Sequence, residues 1–241
     1  GDEAGYNLTT DDANIILGTR AGYRQSAGNN PNILIGFEAG YKTTDSELNT
    51  FIGYRAGYSI QDLADDNIFI GYKSGELATL CNQNTAIGSR AGRNITGGTG
   101  NTLIGTQSGQ NITSGSNNVF LGASAGNTSN TASNNIFIGL NSGYSNISGD
   151  NNTCMGNTSG YNNTTGYGNY FLGTTSGYNN TTGVNNVFIG FESGNGNTTE
   201  DHNTYIGYRT GYSNTGDYNI LMSANGGTTT TNYSNVFAVY D

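Results

Sequence analysis

Twelve times in this chain an Asn is followed four residues later by Gly and four further on by a second Gly, and the unit returns every 17 or 18 residues. The Asn positions are Asn14, Asn32, Asn49, Asn67, Asn84, Asn101, Asn118, Asn135, Asn152, Asn169, Asn186 and Asn203. The first glycines run from Gly18 to Gly207 and the second from Gly22 to Gly211. A fixed period of this length means that one small unit is built again and again, as in a solenoid. The unit reads N-x-φ-(I/L)-G-x-x-(A/S)-G-(Y), as in Asn118 to Gly126, and a polar segment of Asn, Thr, Ser, Gly and Asp follows it.

Composition alone points elsewhere. Only 33% of the residues are hydrophobic and 39 are Gly, a balance that usually gives disorder. Disordered tracts, however, do not keep an aliphatic residue in register through twelve copies. Each unit opens with three strand formers, such as Ile68-Phe69-Ile70 or Val187-Phe188-Ile189. The Gly that follows suits a turn needing positive φ or close backbone approach, and the second Gly suits another corner.

The expected fold is therefore all-β: a parallel β-solenoid, or β-roll, of about 14 rungs of 17 residues. It would form a single domain over 1–241, with 1–13 an incomplete first rung and 219–241 degenerate last rungs. Rungs stacked about 4.8 Å apart place equivalent residues above one another. The Ile or Leu before the first Gly, from Leu17 and Ile35 to Ile206, is expected to form the apolar core column. Ile138→Asp should then unzip the stack, and Thr106→Asp should be tolerated. The Asn column is expected to hold the turns in register, each amide donating to one rung, accepting from the other and bonding the turn backbone.

A hexapeptide β-helix does not divide into 17 residues, and the calcium-binding nonapeptide roll needs a recurring Gly-Gly-x-Gly-x-Asp that is absent. Asn84-Thr85-Ala86-Ile87-Gly88-Ser89-Arg90-Ala91 resembles the head repeats of trimeric autotransporter adhesins, N-x-x-A-I-G-x-x-(S/A). The resemblance covers nearly the whole chain and implies a left-handed parallel β-roll on a cell surface. The frame departs from that family in its bulkier residue before Ile, its stricter second Gly and its longer rung.

Residues 1–6 read as the second half of a unit, and Asn235-Val236-Phe237-Ala238 as the first half of one without its glycines. On one reading a subunit's tail completes the next subunit's head, with Gly1, Gly5, Asn235, Val236, Phe237 and Ala238 at the joint, and a head-to-tail filament results. On the other, the chain is cut from a longer repeat protein.

The net charge of -9 provides no basic patch for nucleic acid. Apolar runs of three or four residues are far short of the ~20 a membrane-spanning helix needs. From Asn94 to Phe191 the one charged residue is Asp150. That stretch is rich in Asn-x-Ser/Thr sequons, and glycans would keep it soluble. The glycosylation candidates are Asn7, Asn94, Asn111, Asn127, Asn146, Asn162, Asn163, Asn179, Asn180, Asn197 and Asn232. Asn151 and Asn157 flank a strand and rank below them. The alternative is an amide and hydroxyl surface solvated by water alone.

Arg20, Arg55, Lys73, Arg90 and Arg209 share the place two residues after the first Gly. A solvated face with ion pairs is expected there ahead of a binding stripe. Tyr recurs after the second Gly, for instance at Tyr23, Tyr41 and Tyr58, where it would stiffen a corner or meet sugars. Acids including Asp11, Asp12, Asp45, Glu47, Asp62, Asp65, Asp66, Glu200 and Asp201 are irregularly spaced, so solvation is expected ahead of calcium. Cys81 and Cys154 occupy different positions of the unit and are expected to be free thiols.

The sole His202 belongs to no recurring nucleophile, base and oxyanion arrangement. Neither catalysis, cofactor nor metal is expected. The leading function is an extracellular or cell-surface structural subunit of a fibre or pilus-like filament, its main partner being itself. The alternative is a homotrimeric adhesin head, or a viral tail-fibre domain, binding glycans or other host surface ligands. Ice binding ranks behind both, because Thr50, Thr85, Thr102, Thr153 and Thr204 share a position that Ile, Val and Tyr interrupt.

Overall fold

The computed structural model describes residues 1–8, 13–25, 31–61 and 63–223, and the backbone of 237–240. The chain divides into two compact units, Gly1–Asn118 and Val119–Asp241. The first carries β1 (Ile15–Leu17), β2 (Ile33–Ile35), β3 (Thr50–Ile52), β4 (Ile68–Ile70), β5 (Thr85–Ile87) and β6 (Thr102–Ile104). The second carries β7 (Val119–Leu121), β8 (Ile136–Ile138), β9 (Thr153–Met155), β10 (Tyr170–Leu172), β11 (Val187–Ile189), β12 (Thr204–Ile206), β13 (Ile220–Ser223) and β14 (Phe237–Tyr240).

Within each unit every strand pairs in parallel with the next, position for position, as in Ile33↔Thr50 and Phe171↔Phe188. The fold is an all-β parallel β-solenoid with one strand per rung, and no helix occurs among the described residues. Backbone groups outside the strands are satisfied in the same way. The Gly36 N–H donates to Leu17 O at 2.7 Å, Glu38 to Thr19 at 3.0 Å and Gly40 to Ala56 at 2.9 Å. Within a rung the backbone closes on itself at the two corners, as in Ala39 N–H to Gly36 O at 3.3 Å and Thr43 N–H to Gly40 O at 3.1 Å, and the rest of the rung is held by its neighbours.

The core column is not the expected one. The residue before the first Gly faces outward: Leu17 is 56% exposed, Leu121 45% and Met155 42%. The middle residue of each three-residue strand faces inward, and Leu34, Phe51, Phe69, Phe120, Phe137, Phe171 and Phe188 are fully buried. Successive strand side chains alternate between faces, so a three-residue strand sends only its centre inside. Ile138 accordingly lies on the outer face, half-buried by its neighbours.

Two further columns line the interior. One is the small residue before the second Gly, such as Ala56, Ala91, Ser142 or Ser176. The other lies three residues after that Gly: Ile60, Ala78, Ile95 and Ile112 in the first unit, and Asn146, Asn163, Asn180 and Asn197 in the second. At the strand end Gly156 has φ +143°, and a Cβ there would lie 2.5 Å from Gly173 O of the next rung. Backbone meets backbone at this corner, which leaves no room for any other residue. Two residues later the chain is left-handed at ordinary residues, among them Arg20 and Thr175 at φ 55°.

Candidate functional surfaces

The buried Asn column bonds each rung to the next. In the first unit the Asn32 N–H donates to Asn14 Oδ1 at 2.7 Å, and Asn32 Nδ2 donates to Ser46 O at 2.8 Å. In the second, Asn169 donates from its backbone N–H and its Nδ2 to Asn152 Oδ1, at 3.0 and 3.1 Å, and from Nδ2 to Gly183 O at 2.8 Å. Its own Oδ1 accepts from the N–H and Nδ2 of Asn186 at 3.0 and 3.2 Å. The Asn169 amide is thus bonded on both sides within the stack and has nothing left with which to bind a ligand.

A second amide ladder was not foreseen from the sequence. Asn163 Nδ2 donates to Asn146 Oδ1 at 2.8 Å and to Gly166 O at 2.9 Å, and Asn180 Nδ2 donates to Asn163 Oδ1 at 2.8 Å. The ladder breaks at Asn197, whose buried amide has no partner among the described residues. The signal was available, because the position three residues after the second Gly is mixed from Gln25 to Ser129, with Ile60, Ile95 and Ile112 among its members, and is Asn in every unit from Asn146 to Asn214.

This ladder corrects the glycosylation candidates. Asn146, Asn163, Asn180 and Asn197 are fully buried and Asn127 nearly so, so their amides have no path by which a glycan could leave the core. Asn94 bonds Asn111, and Asn162 bonds Asn179, in half-buried pairs at 2.9 and 3.2 Å. Asn7 is exposed, as are Asn151 and Asn157, the two sequons ranked lowest. Asn232 lies outside the described residues.

On the first unit the charges form a ladder of alternating sign. Arg20 bridges Glu3 and Glu38 at 2.9 and 3.6 Å, and Arg55 bridges Glu38 and Glu76 at 2.9 and 3.4 Å. Glu76, its side chain only 3% exposed, also takes Lys73 at 3.0 Å and Arg93 at 2.7 Å. Burial opposes ionisation of Glu76, but Arg93 and Lys73 outweigh it and hold the carboxyl below its ordinary value of 4.5. The acids elsewhere bond the neighbouring rung. Asp150 Oδ1 accepts the Ser133 N–H at 2.7 Å, Asp201 that of Val184 at 2.8 Å and Asp65 that of Glu47 at 2.9 Å. Asp11, Asp12 and Asp62 lie outside the described residues.

The tyrosines stack face to face. Tyr6, Tyr23, Tyr41 and Tyr58 follow one another at 5.1 Å with planes within 9°, and Tyr144, Tyr161 and Tyr178 do the same at 5.1 and 5.2 Å. A sugar stacks on a ring face, and here the faces cover one another, leaving edges outside. Cys81 and Cys154 are buried, unpaired thiols. Burial pushes Cys81 up to about 12 and Cys154 higher still, which makes both poor nucleophiles.

Of the six residues assigned to a joint, Gly5 donates its N–H to Ala21 O of the same chain at 2.9 Å. The Gly1 backbone packs against Gly18. Phe237 and Ala238 pair with Ile220 and Leu221. Asn235 and Val236 lie outside the described residues.

Among the described residues no three His, Cys, Asp or Glu side chains gather as metal ligands, and no helix is long and apolar enough to cross a membrane. The outward strand positions form an apolar sheet face on each unit. No family model, curated protein or solved structure matches the chain.

Proposed function

We propose that the protein is a non-enzymatic structural subunit of an extracellular or cell-surface fibre, in which copies stack along the solenoid axis. One observation carries this reading: the Asn column bonds each rung to an equivalent rung, Asn152 to Asn169 and Asn169 to Asn186. The row of donors and acceptors that one rung offers is the row the next one needs, so a rung of a second copy fits as well as one from the same chain. Contacts of this heterologous kind extend without closing. The resemblance of the repeat frame to adhesin head repeats supports the placement at a cell surface. Electron microscopy of the purified protein tests the proposal. Linear assemblies with a repeat of about 4.8 Å along their axis are expected, and discrete particles of one chain at all concentrations would overturn it.

A further inference from the structure

The fourteen outward positions of β7–β13 contain eleven Val, Ile, Leu or Met residues, with Thr153, Thr204 and Tyr170 as the exceptions and no charged residue. Val119, Leu121, Ile136, Met155 and Ile220 are each 40–45% exposed. Soluble monomers rarely expose a contiguous apolar patch of more than a few hundred Å². The interior needs none of these side chains, because the Phe column and the amide ladders fill it.

We propose that this face is a self-association surface, which packs against the same face of a second copy to make a two-fold sheet sandwich. Two features of the face select that occupant. The first is charge. A chain of net charge -9 repels its own copies except where it presents no charge, and this face is neutral from β7 to β13. The second is spacing. Inside the unit equivalent rings repeat every 4.8–5.0 Å, as in Phe120–Phe137 and Phe171–Phe188, so the outer face is ridged with the same constant period. A partner that fills those grooves over seven rungs must share that period, and a second copy does so whatever its alignment. The exposed Asn134, Asn151 and Asn185, one residue before the Asn column, give the apolar strip the polar rim of an ordinary interface. A patch that meets itself closes as a dimer, whereas the axial stacking proposed above stays open. The lateral contact therefore stands or falls separately.

Sedimentation equilibrium of the full chain and of Ile138→Lys, Leu121→Lys and Thr182→Lys tests this. The first two variants place charge on the face and the third places it on an exposed connecting segment. Wild type and Thr182→Lys are expected as two-chain particles, with the two face variants as single chains that still unfold in one cooperative melt, below wild type only by what association adds at that concentration. If axial assembly also occurs, the same contrast appears as fibre width, double in wild type and single in the face variants. A single-chain wild type with single-width fibres, a pair indifferent to Ile138→Lys, or a three-chain particle would each overturn the proposal.

Discussion

Gly177 sits where a side chain would strike Phe171: a Cβ on Gly177 would lie 2.6 Å from the ring, and the residue has φ +59°. The second glycine of the unit thus makes the space that the central aromatic of the strand occupies. Gly177→Ala combines left-handed strain of about 1–2 kcal/mol with overpacking of about 1–3 kcal/mol, so a loss of about 2–5 kcal/mol is expected in chemical denaturation. Thr175, two residues earlier and also left-handed at φ 55°, points outward. Thr175→Asn should stabilise by up to about 1 kcal/mol, since Asn tolerates that conformation.

The inward column moves the expected damage from Ile138, where the sequence placed it, to Phe137. Phe137→Ala should cost about 3–5 kcal/mol, the usual result of emptying a close-packed aromatic site. Ile138→Lys should stay within about 1 kcal/mol of wild type, as surface changes do. Thermal melting of the two variants side by side decides the matter, and equal losses would refute the assignment of inner and outer faces.

Asn169→Leu keeps the branched shape of the buried side chain but strands the Gly183 carbonyl and the Asn186 N–H, both bonded to Asn169 in the native rung. At about 1–3 kcal/mol for each unpaired buried group, a loss of about 2–6 kcal/mol is expected. Hydrogen exchange should rise at Asn186, whose N–H loses its acceptor, before it rises in the first unit.

Glu76 sets the acid sensitivity of the Gly1–Asn118 unit. Its native pKa is depressed below 4.5. The stability it contributes is therefore complete above the unfolded value and is lost as pH falls through the lower native one. Glu76→Gln should lower the melting temperature at neutral pH and flatten the acid limb of the profile, so that wild type and variant converge in strong acid. Parallel profiles at all pH values would show that the Lys73, Arg55 and Arg93 pairs contribute nothing through this carboxylate.

The burial of sequons gives a mass-spectrometric expectation. Peptides carrying Asn146, Asn163, Asn180 and Asn197 should be unmodified in native material, and any glycan should map to outward residues such as Asn7, Asn151 or Asn157. A glycan found on Asn163 would mean that the second amide ladder does not exist.

The repeat frame made the rung, the strand and both corners legible, because Gly and Asn at fixed offsets have few physical uses. It did not reveal which strand residue faces in. Phe137 and Ile138 are both apolar, and hydrophobicity cannot separate two faces when both are apolar. Alternation over three residues could have done so, because it sends only the centre of such a strand inside. The connecting segments misled for a related reason: Asn beside Thr looks like surface, yet Asn146 and Asn163 are buried because each finds its amide partner one rung away. Polarity marks exposure only when a residue has no copy of itself to bond.

Neighbouring rungs that are interchangeable raise a problem of alignment that an ordinary core does not. Sliding a stretch of chain by 17 residues returns Asn169 to the place of Asn152 and Phe188 to that of Phe171, with nearly every bond remade. Residues that occur once penalise the slip: Glu76 among its three cations, and Tyr205, whose buried hydroxyl accepts from the Asn214 amide. They act as address marks on a chain that otherwise reads the same at every step. Between Asn135 and Asn186 such marks are sparse, and there the chain has least to tell one alignment from the next.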